Sequence, residues 1–270
     1  MPVTPANLPA LSGFTLRPPC PALAPFVQGF WWLKSASGAG LPLQMLHPDG
    51  GSGLIFNFAE PLLFDGHSLA PPALVSAPVL TSTRLELGPT VDLLGVRFLP
   101  GMGSAFLGMG LNELAGFAPQ ALPGLDLNAL ADALAFIATD KQQGLLEHWL
   151  LARLGKAPVP KPAVQQLLAA ITRHQGQRNL AELMAPIPLS QRQLERQFKQ
   201  QVGLTAKQFS RIQRVALVRQ DLKQGLALLD TALARGFSDQ AHFIHDFKAV
   251  IGITPGQYLA KSRRRDKDQP

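Results

Sequence analysis

Residues 237–258, FSDQAHFIHDFKAVIGITPGQY, hold the pattern that decides the fold of the C-terminal third of the chain. Ser238 is the predicted N-cap of a helix, because a short side-chain oxygen accepts a hydrogen bond from an unpaired first-turn N–H. Phe243 and Phe247 recur at the spacing of one apolar helix face, and Gly252 suits a left-handed stop. With the short apolar segment before it, this stretch predicts a helix-turn-helix unit.

The same pattern occurs a second time in the chain, 49 residues upstream. That offset pairs Phe198 with Phe247 and Gly203 with Gly252. Between the two copies, residues 207–224 have the apolar spacing of a long amphipathic helix. The sequence therefore predicts an all-α C-terminal domain in which two helix-turn-helix units are joined by one long helix.

This arrangement resembles the DNA-binding domain of AraC/XylS-type transcription regulators over roughly residues 160–262. The stretches that carry the resemblance are GFSDQAHFIHDFK at 236–248 and GITPGQY at 252–258. The resemblance implies a bacterial-type regulator, activator or repressor, that works in the cytoplasm. Its two recognition helices, about 191–202 and 239–251, would enter successive major grooves of double-stranded DNA.

Helical periodicity then selects the side chains that point away from the two apolar faces and could reach DNA. Arg192 and Arg196 suit bidentate pairing with guanine. For Arg211 and Arg214 on the long helix, contacts to the DNA backbone and salt bridges within the protein remain equal alternatives. The candidates for base contact are Arg192, Gln193, Arg196, Gln240, His242 and His245, and those for backbone contact are Ser190, Lys199, Arg211, Arg214, Ser238 and Lys248.

The charge distribution agrees with a separate DNA-binding domain. Residues 1–155 carry 6 Lys and Arg against 10 Asp and Glu, a net charge of −4. Residues 156–270 carry 19 against 8, a net charge of +11, which is the footprint of a nucleic-acid-binding region. We predict a β-rich regulatory domain with C-terminal helices at 1–155 and a linker at 156–162. A DNA-binding domain at 163–262 and a basic, polar tail at 263–270 would follow.

The N-terminal part alternates short apolar runs with turn-rich segments, which predicts a small β-barrel or sandwich and an α+β chain overall. The Pro-rich residues 1–25 are expected to be irregular. Three stretches, PFVQGFWWL, LHPDGGSGLIFNF and LLGVRFLPGMGSAFLG, resemble the sensor-like domains fused to AraC-type regulators. That resemblance implies effector binding or dimer formation. Amphipathic stretches between 125 and 154 are expected to pack on the barrel or to form a dimer contact.

Aromatic residues and one arginine of this part could line an effector pocket, or the aromatics could simply fill the core. The candidates for the pocket are Trp31, Trp32, Phe56, Phe58 and Arg97.

Enzyme and metal signals are weak. Cys20 is the single cysteine, which rules out a multi-cysteine zinc site, and a His-x-His metal pair is missing. We therefore expect no catalytic residues, no metal, no cofactor and no membrane span. Double-stranded DNA is the expected partner, while RNA polymerase, a small-molecule effector and a second copy remain open. The alternatives are a ligand-binding or enzymatic barrel with a non-specific nucleic-acid-binding domain, and a regulator that has no effector.

Overall fold

The computed structural model describes residues 11, 13–36, 41–69, 72–114, 125–154 and 160–268. It confirms the α+β class, with antiparallel sheets and helices first and a helical region after them. Most of the predicted linker lies outside the described residues. Within the described part, no helix is both long and apolar enough to cross a bilayer.

Nine strands in the described part of residues 1–98 form two sheets. A five-stranded sheet has the order β1-β2-β9-β4-β7, and a four-stranded sheet has the order β3-β8-β5-β6. The strands are β1 Phe14–Arg17, β2 Val27–Ala36, β3 Leu41–Leu46, β4 Ser52–Asn57, β5 Leu62–Phe64, β6 His67–Leu69, β7 Ala73–Ser76, β8 Thr83–Leu87 and β9 Thr90–Phe98.

The five-stranded sheet is buried on both of its faces. Side chains alternate along β2, so Trp31 and Leu33 join the core between the sheets, while Phe30 and Trp32 join a second core. Three helices cover that second core, α1 Ser104–Leu107, α2 Leu127–Phe136 and α3 Thr139–Leu154. Burial on both faces explains why β2 and β9 are apolar nearly throughout.

Two short strands were not predicted. β1 lies in the stretch expected to be irregular, and it pairs with β2 as an edge strand, a position that tolerates the prolines directly after it. β6 forms a hairpin with β5. The connecting Asp65 and Gly66 both have positive φ, 49° and 83°, and this is the geometry of a tight hairpin turn.

The C-terminal part is helical. Its helices are α4 Pro162–Arg173, α5 Leu180–Met184, α6 Gln191–Val202, α7 Ala206–Lys223, α8 Leu228–Ala234, α9 Gln240–Ile251 and α10 Pro255–Asp268. Most of the predicted polar tail therefore belongs to α10. One continuous core, which includes Phe198, Phe209, Phe243 and Phe247, joins both halves of this region.

The sequence repeat is also a structural repeat. Helices α6 and α9 begin and end 49 residues apart, as do the first residues of α7 and α10. Gly203 and Gly252 both end their helices in the left-handed region, at φ 81° and 88°. Ser190 caps α6 as predicted. For α9 the prediction of Ser238 was wrong, because Asp239 accepts the hydrogen bond from the His242 N–H.

Asp246 anchors α9 to the long helix α7. Its side chain is 3% exposed and forms ion pairs with Arg211, at 2.9 Å, and Arg214, at 3.4 Å. A second ion pair lies near the C-terminal end of α7, where Arg235 donates two hydrogen bonds to the buried carboxylate of Asp221. Ion pairs from α7 thus fix both helices of the second unit.

Replacing the buried anchor should destabilise the helical domain. In Asp246→Asn, the two arginines lose their counter-charge in a largely buried site. We therefore expect the free energy of unfolding to fall by about 3 kcal/mol. Urea unfolding followed by far-UV circular dichroism measures it. The three tryptophans all lie before residue 150, so their fluorescence reports separately on the N-terminal domain. The exposed Glu195→Gln is the control, and equal midpoints for the two variants would contradict the prediction.

Alanine at the two equivalent glycines should separate backbone strain from contact with the sandwich. Both substitutions place a side chain in the left-handed region, which costs about 1–2 kcal/mol. A Cβ at Gly203 would also lie 3.0 Å from the Pro78 side chain, whereas at Gly252 the nearest atom is 3.8 Å away, on Thr81. Gly203→Ala should therefore lower the thermal midpoint further than Gly252→Ala. Equal shifts would mean that the close approach at Gly203 relaxes freely.

Candidate nucleic-acid interface

The outer face of α6 presents three cationic side chains. Leu194 and Phe198 are fully buried and set the orientation of the helix. Arg192, Arg196 and Lys199 are exposed on the remaining surface, as the sequence predicts. Among the described residues, none of the three is found in a salt bridge. The capping box that starts this helix uses Gln193, whose Oε1 accepts from the Ser190 N–H and hydroxyl, at 3.3 and 2.9 Å.

The outer face of α9 is similar in shape but much less cationic. Its exposed side chains are Gln240, Ala241, His245 and Lys248. By the 49-residue offset, Ala241 and His245 occupy the places of the two arginines of α6. The structure thus brings the predicted residues onto equivalent faces, but it gives the second helix fewer groups that can hold a guanine or a phosphate.

His242 is held within its own unit. Its Nδ1 lies 3.1 Å from the Ser238 hydroxyl and its Nε2 lies 3.3 Å from Asp246 Oδ2. Ser238 in turn donates to Asp239. The His242 N–H and the Ser238 hydroxyl lower the pKa of the Asp239 carboxyl by hydrogen bonding. These contacts occupy Ser238 and His242, which sequence analysis assigned to DNA.

Arg211 and Arg214 take the second of the two alternatives open to them in the sequence. Both pair with Asp246, and their side chains are only 28% and 17% exposed. Arg214 also lies over the Phe237 ring, 5.1 Å from its centroid. Burial lowers the pKa of Arg214, while Asp246 opposes that shift. Asp246 was not singled out in the sequence, although an acidic residue three positions after Phe243 lies toward the buried face.

A cavity of about 120 Å³ lies in the N-terminal sandwich. Trp31 and Arg97 line it, as do apolar residues of both sheets. The other predicted pocket residues are elsewhere. Trp32 and Phe56 lie in the core beneath the helices, and Phe58 packs against that core. Trp32 is not at the cavity because side chains alternate along β2, so Trp32 lies on the face of the sheet opposite Trp31.

The polar end of the cavity is an ion pair. Arg97 donates to both carboxylate oxygens of Asp49, and the Nε–Oδ2 distance is 3.2 Å. His47 and Asp49 both line the cavity. Neither residue was among the pocket candidates predicted from the sequence, although both lie in LHPDGGSGLIFNF, one of the three stretches that resemble sensor-like domains. Within the described residues, no group of three or more His, Cys, Asp or Glu side chains could hold a metal ion.

The sandwich touches both α6 and α9 at their C-terminal ends. Thr81 Oγ1 donates to the Ala249 carbonyl at 3.0 Å, and the Ser82 N–H donates to the Val250 carbonyl at 2.9 Å. At the end of α6, Gly203 lies against Pro78. These contacts leave the N-terminal and outer surfaces of both helices exposed.

Comparisons with known proteins agree with this architecture. Residues 184–261 match the family described as helix-turn-helix domain, and residues 16–118 match a domain of unknown function, DUF6597. An alignment of 144 residues with the HTH-type transcriptional regulator MtrA of Neisseria gonorrhoeae shows 32% identity and covers 49% of this chain and 44% of that protein.

Two further relatives carry similar names. The chain is 27% identical over 117 residues to the HTH-type transcriptional regulator NimR of Escherichia coli K12, covering 38% of this chain and 43% of that protein. It is 36% identical over 75 residues to the HTH-type transcriptional activator RhaR of Klebsiella pneumoniae, covering 27% of each. The chain thus spans less than half the length of these curated relatives.

Among solved structures, ToxT from Vibrio cholerae O395 aligns with 93% of this chain and 98% of its own, at 9% identity and a TM-score of 0.44. The family and sequence matches confirm the resemblance drawn from the two repeated stretches. Residues 184–261 therefore carry a helix-turn-helix domain of the AraC type, and the relatives named above are HTH-type transcriptional regulators and an activator.

Proposed function

We propose that this protein is a sequence-specific, double-stranded-DNA-binding transcription regulator. The observation that carries the proposal is the pair of exposed arginines, Arg192 and Arg196, on the outer face of a capped helix within a repeated helix-turn-helix fold. A helix of this size fits the major groove of B-DNA. A regulator of this kind would act in the cytoplasm, where bacterial DNA lies.

The first unit would supply most of the sequence reading. Arg192 and Arg196 are both long enough to pair with O6 and N7 of guanine. Lys199 lies further along the helix and suits a phosphate. At the helix start the cap is the neutral Ser190, so the free N–H groups and the helix dipole there favour a DNA phosphate.

The second unit would enter the next major groove and contribute less specificity. Gln240 and His245 are its exposed base-reading candidates, and Lys248 suits a phosphate. The start of α9 carries the charged cap Asp239 instead of a serine, and a carboxylate there opposes a phosphate. Arg211 and Arg214, as partners of Asp246, would support DNA binding by holding α9 in place.

The N-terminal sandwich would modulate DNA binding through a small effector. Its cavity is mostly apolar, with the Arg97–Asp49 pair at one end, and a volume of about 120 Å³ suits a ligand of roughly the size of benzene. The ligand expected from these walls is therefore small and largely apolar, with one polar group that bonds to Arg97 or Asp49. RNA polymerase and a second copy of the chain are further candidate partners of such a regulator.

Removing one arginine of α6 should relax sequence preference. The DNA is first obtained by selection from a random library with the wild-type protein. In Arg196→Ala, a lost guanine contact should cost about 1–3 kcal/mol and abolish the preference at one base position. Fluorescence anisotropy on matched and single-mismatch sites measures both effects.

Arg84→Ala is the matched control for the loss of one positive charge. Arg84 is an exposed arginine of the sandwich, paired with Glu86 in the same strand, so its removal should leave base preference intact. If Arg196→Ala keeps the wild-type preference, the assignment of Arg196 fails. If the wild type prefers its selected site over random DNA by tenfold or less, non-specific nucleic-acid binding is the better description.

A cavity-filling substitution should abolish effector binding. A thermal-shift screen of small metabolites identifies a stabilising ligand. At a concentration one hundred times its Kd, such a ligand raises the free energy of unfolding by about 2.7 kcal/mol. Ile55 lines the cavity, so Ile55→Trp should remove that stabilisation, whereas Leu16→Trp on exposed β1 should retain it. A stabiliser that binds Ile55→Trp as tightly as the wild type would place the effector site outside the cavity.

A further inference from the structure

The loop between β7 and β8 belongs at once to the cavity and to the contact with the recognition helices. We call residues 77–82 the bracket loop. Ala77 and Val79 line the cavity, together with Ser76 and Thr83 at either end of the loop. The bracket loop therefore forms part of the cavity wall.

Other side chains of the bracket loop contact the C-terminal domain. Pro78 lies against Gly203, the C-cap residue of α6. Thr81 and Ser82 donate three hydrogen bonds to the final carbonyls of α9, with Ser82 using both its N–H and its hydroxyl, at 2.9 and 3.1 Å. Gly203 and Gly252 are equivalent positions of the repeat. The bracket loop therefore contacts the C-terminal end of the recognition helix in both units.

The two contacts differ in how they are supported. The end of α6 is also held by residues outside the bracket loop, since Gly203 lies against Leu111, and Gly101 lies against Val202. These groups follow β9 in the chain and do not line the cavity. The hydrogen bonds to the last turn of α9 come from Thr81 and Ser82 of the bracket loop. Movement of the loop would thus shift α9 more than α6.

His47 adds a second connection from the cavity to the same point. It lines the cavity, and its Nδ1 lies 2.7 Å from the Ser82 hydroxyl. Since that hydroxyl donates to the Val250 carbonyl, the imidazole N–H is the donor to Ser82. A ligand that displaces His47 would therefore disturb the hydrogen bond that ends on α9.

We propose that the bracket loop transmits occupancy of the cavity to the second recognition helix and so changes the position of α9 relative to α6. This inference rests on the proposed function for its consequence, because the distance between two recognition helices decides which spacing of DNA half-sites the protein accepts. The regulation is a change in half-site spacing, and the loop is the element that couples the two sites.

Hydrogen exchange of the full-length protein without DNA tests the coupling directly. The cavity is filled in two ways, with benzene as the probe and with Leu62→Phe, a cavity residue of β5 far in sequence from the loop. We expect amide exchange in residues 247–253 to accelerate by about tenfold, the effect of roughly one weakened hydrogen bond, and exchange in 198–204 to change much less.

The double variant Thr81→Val with Ser82→Ala removes the two side-chain hydrogen bonds to α9. It should show fast exchange in 247–253 from the start and no further response when the cavity is filled. Ser68→Ala with Thr90→Val makes the same chemical changes on exposed strand positions and should respond as the wild type does.

The proposal is overturned if filling the cavity protects the strands of the sandwich while exchange in 247–253 stays unchanged. Leu62→Phe decides the question if benzene does not bind, and benzene decides it if that variant does not fold. The readout needs no DNA, so a failure of the proposed function is recognised separately, as a wild type that selects no DNA sequence.

Discussion

The buried carboxylate of Asp246 is the interaction on which the arrangement of the two helix-turn-helix units depends. It lies in the second recognition helix, and the two arginines that neutralise it lie on the long helix that also carries the first unit. A buried ion pair is costly to leave half-made, so α9 stays paired with α7. The second helix-turn-helix unit is thus linked to the first through α7, and the outer faces of α6 and α9 remain exposed.

The N-terminal sandwich adds a second constraint, at the C-terminal ends of α6 and α9. It contacts their C-terminal turns and leaves their outer faces exposed, which is compatible with DNA on one side and regulation from the other. Its five-stranded sheet has its two faces in different cores, one with the helices and one with the cavity. The bracket loop lines the cavity and bonds to the last turn of α9, and these two contacts are the route of the proposed coupling.

The sequence predicted the helical domain well because its signals are local. Caps, glycine stops and apolar spacing act within a few residues, and the 49-residue repeat tests each signal against a second copy. The role of Asp246 and the division between Trp31 and Trp32 could not be predicted in this way, because both depend on which element packs on which face. The prediction of Ser238 as the N-cap of α9 was wrong for a related reason. Ser238 and Asp239 are both favourable N-cap residues, and only the backbone geometry selects Asp239.

Selection of DNA from a random library, followed by footprinting of the enriched sequence with the full-length protein, tests the central claim most directly. Two recognition helices linked through α7 predict two protected blocks, about one helical turn apart on one face of the duplex. The block under α6 should be the more strongly conserved among selected sequences. A single protected block, or no enrichment at all, would contradict the account.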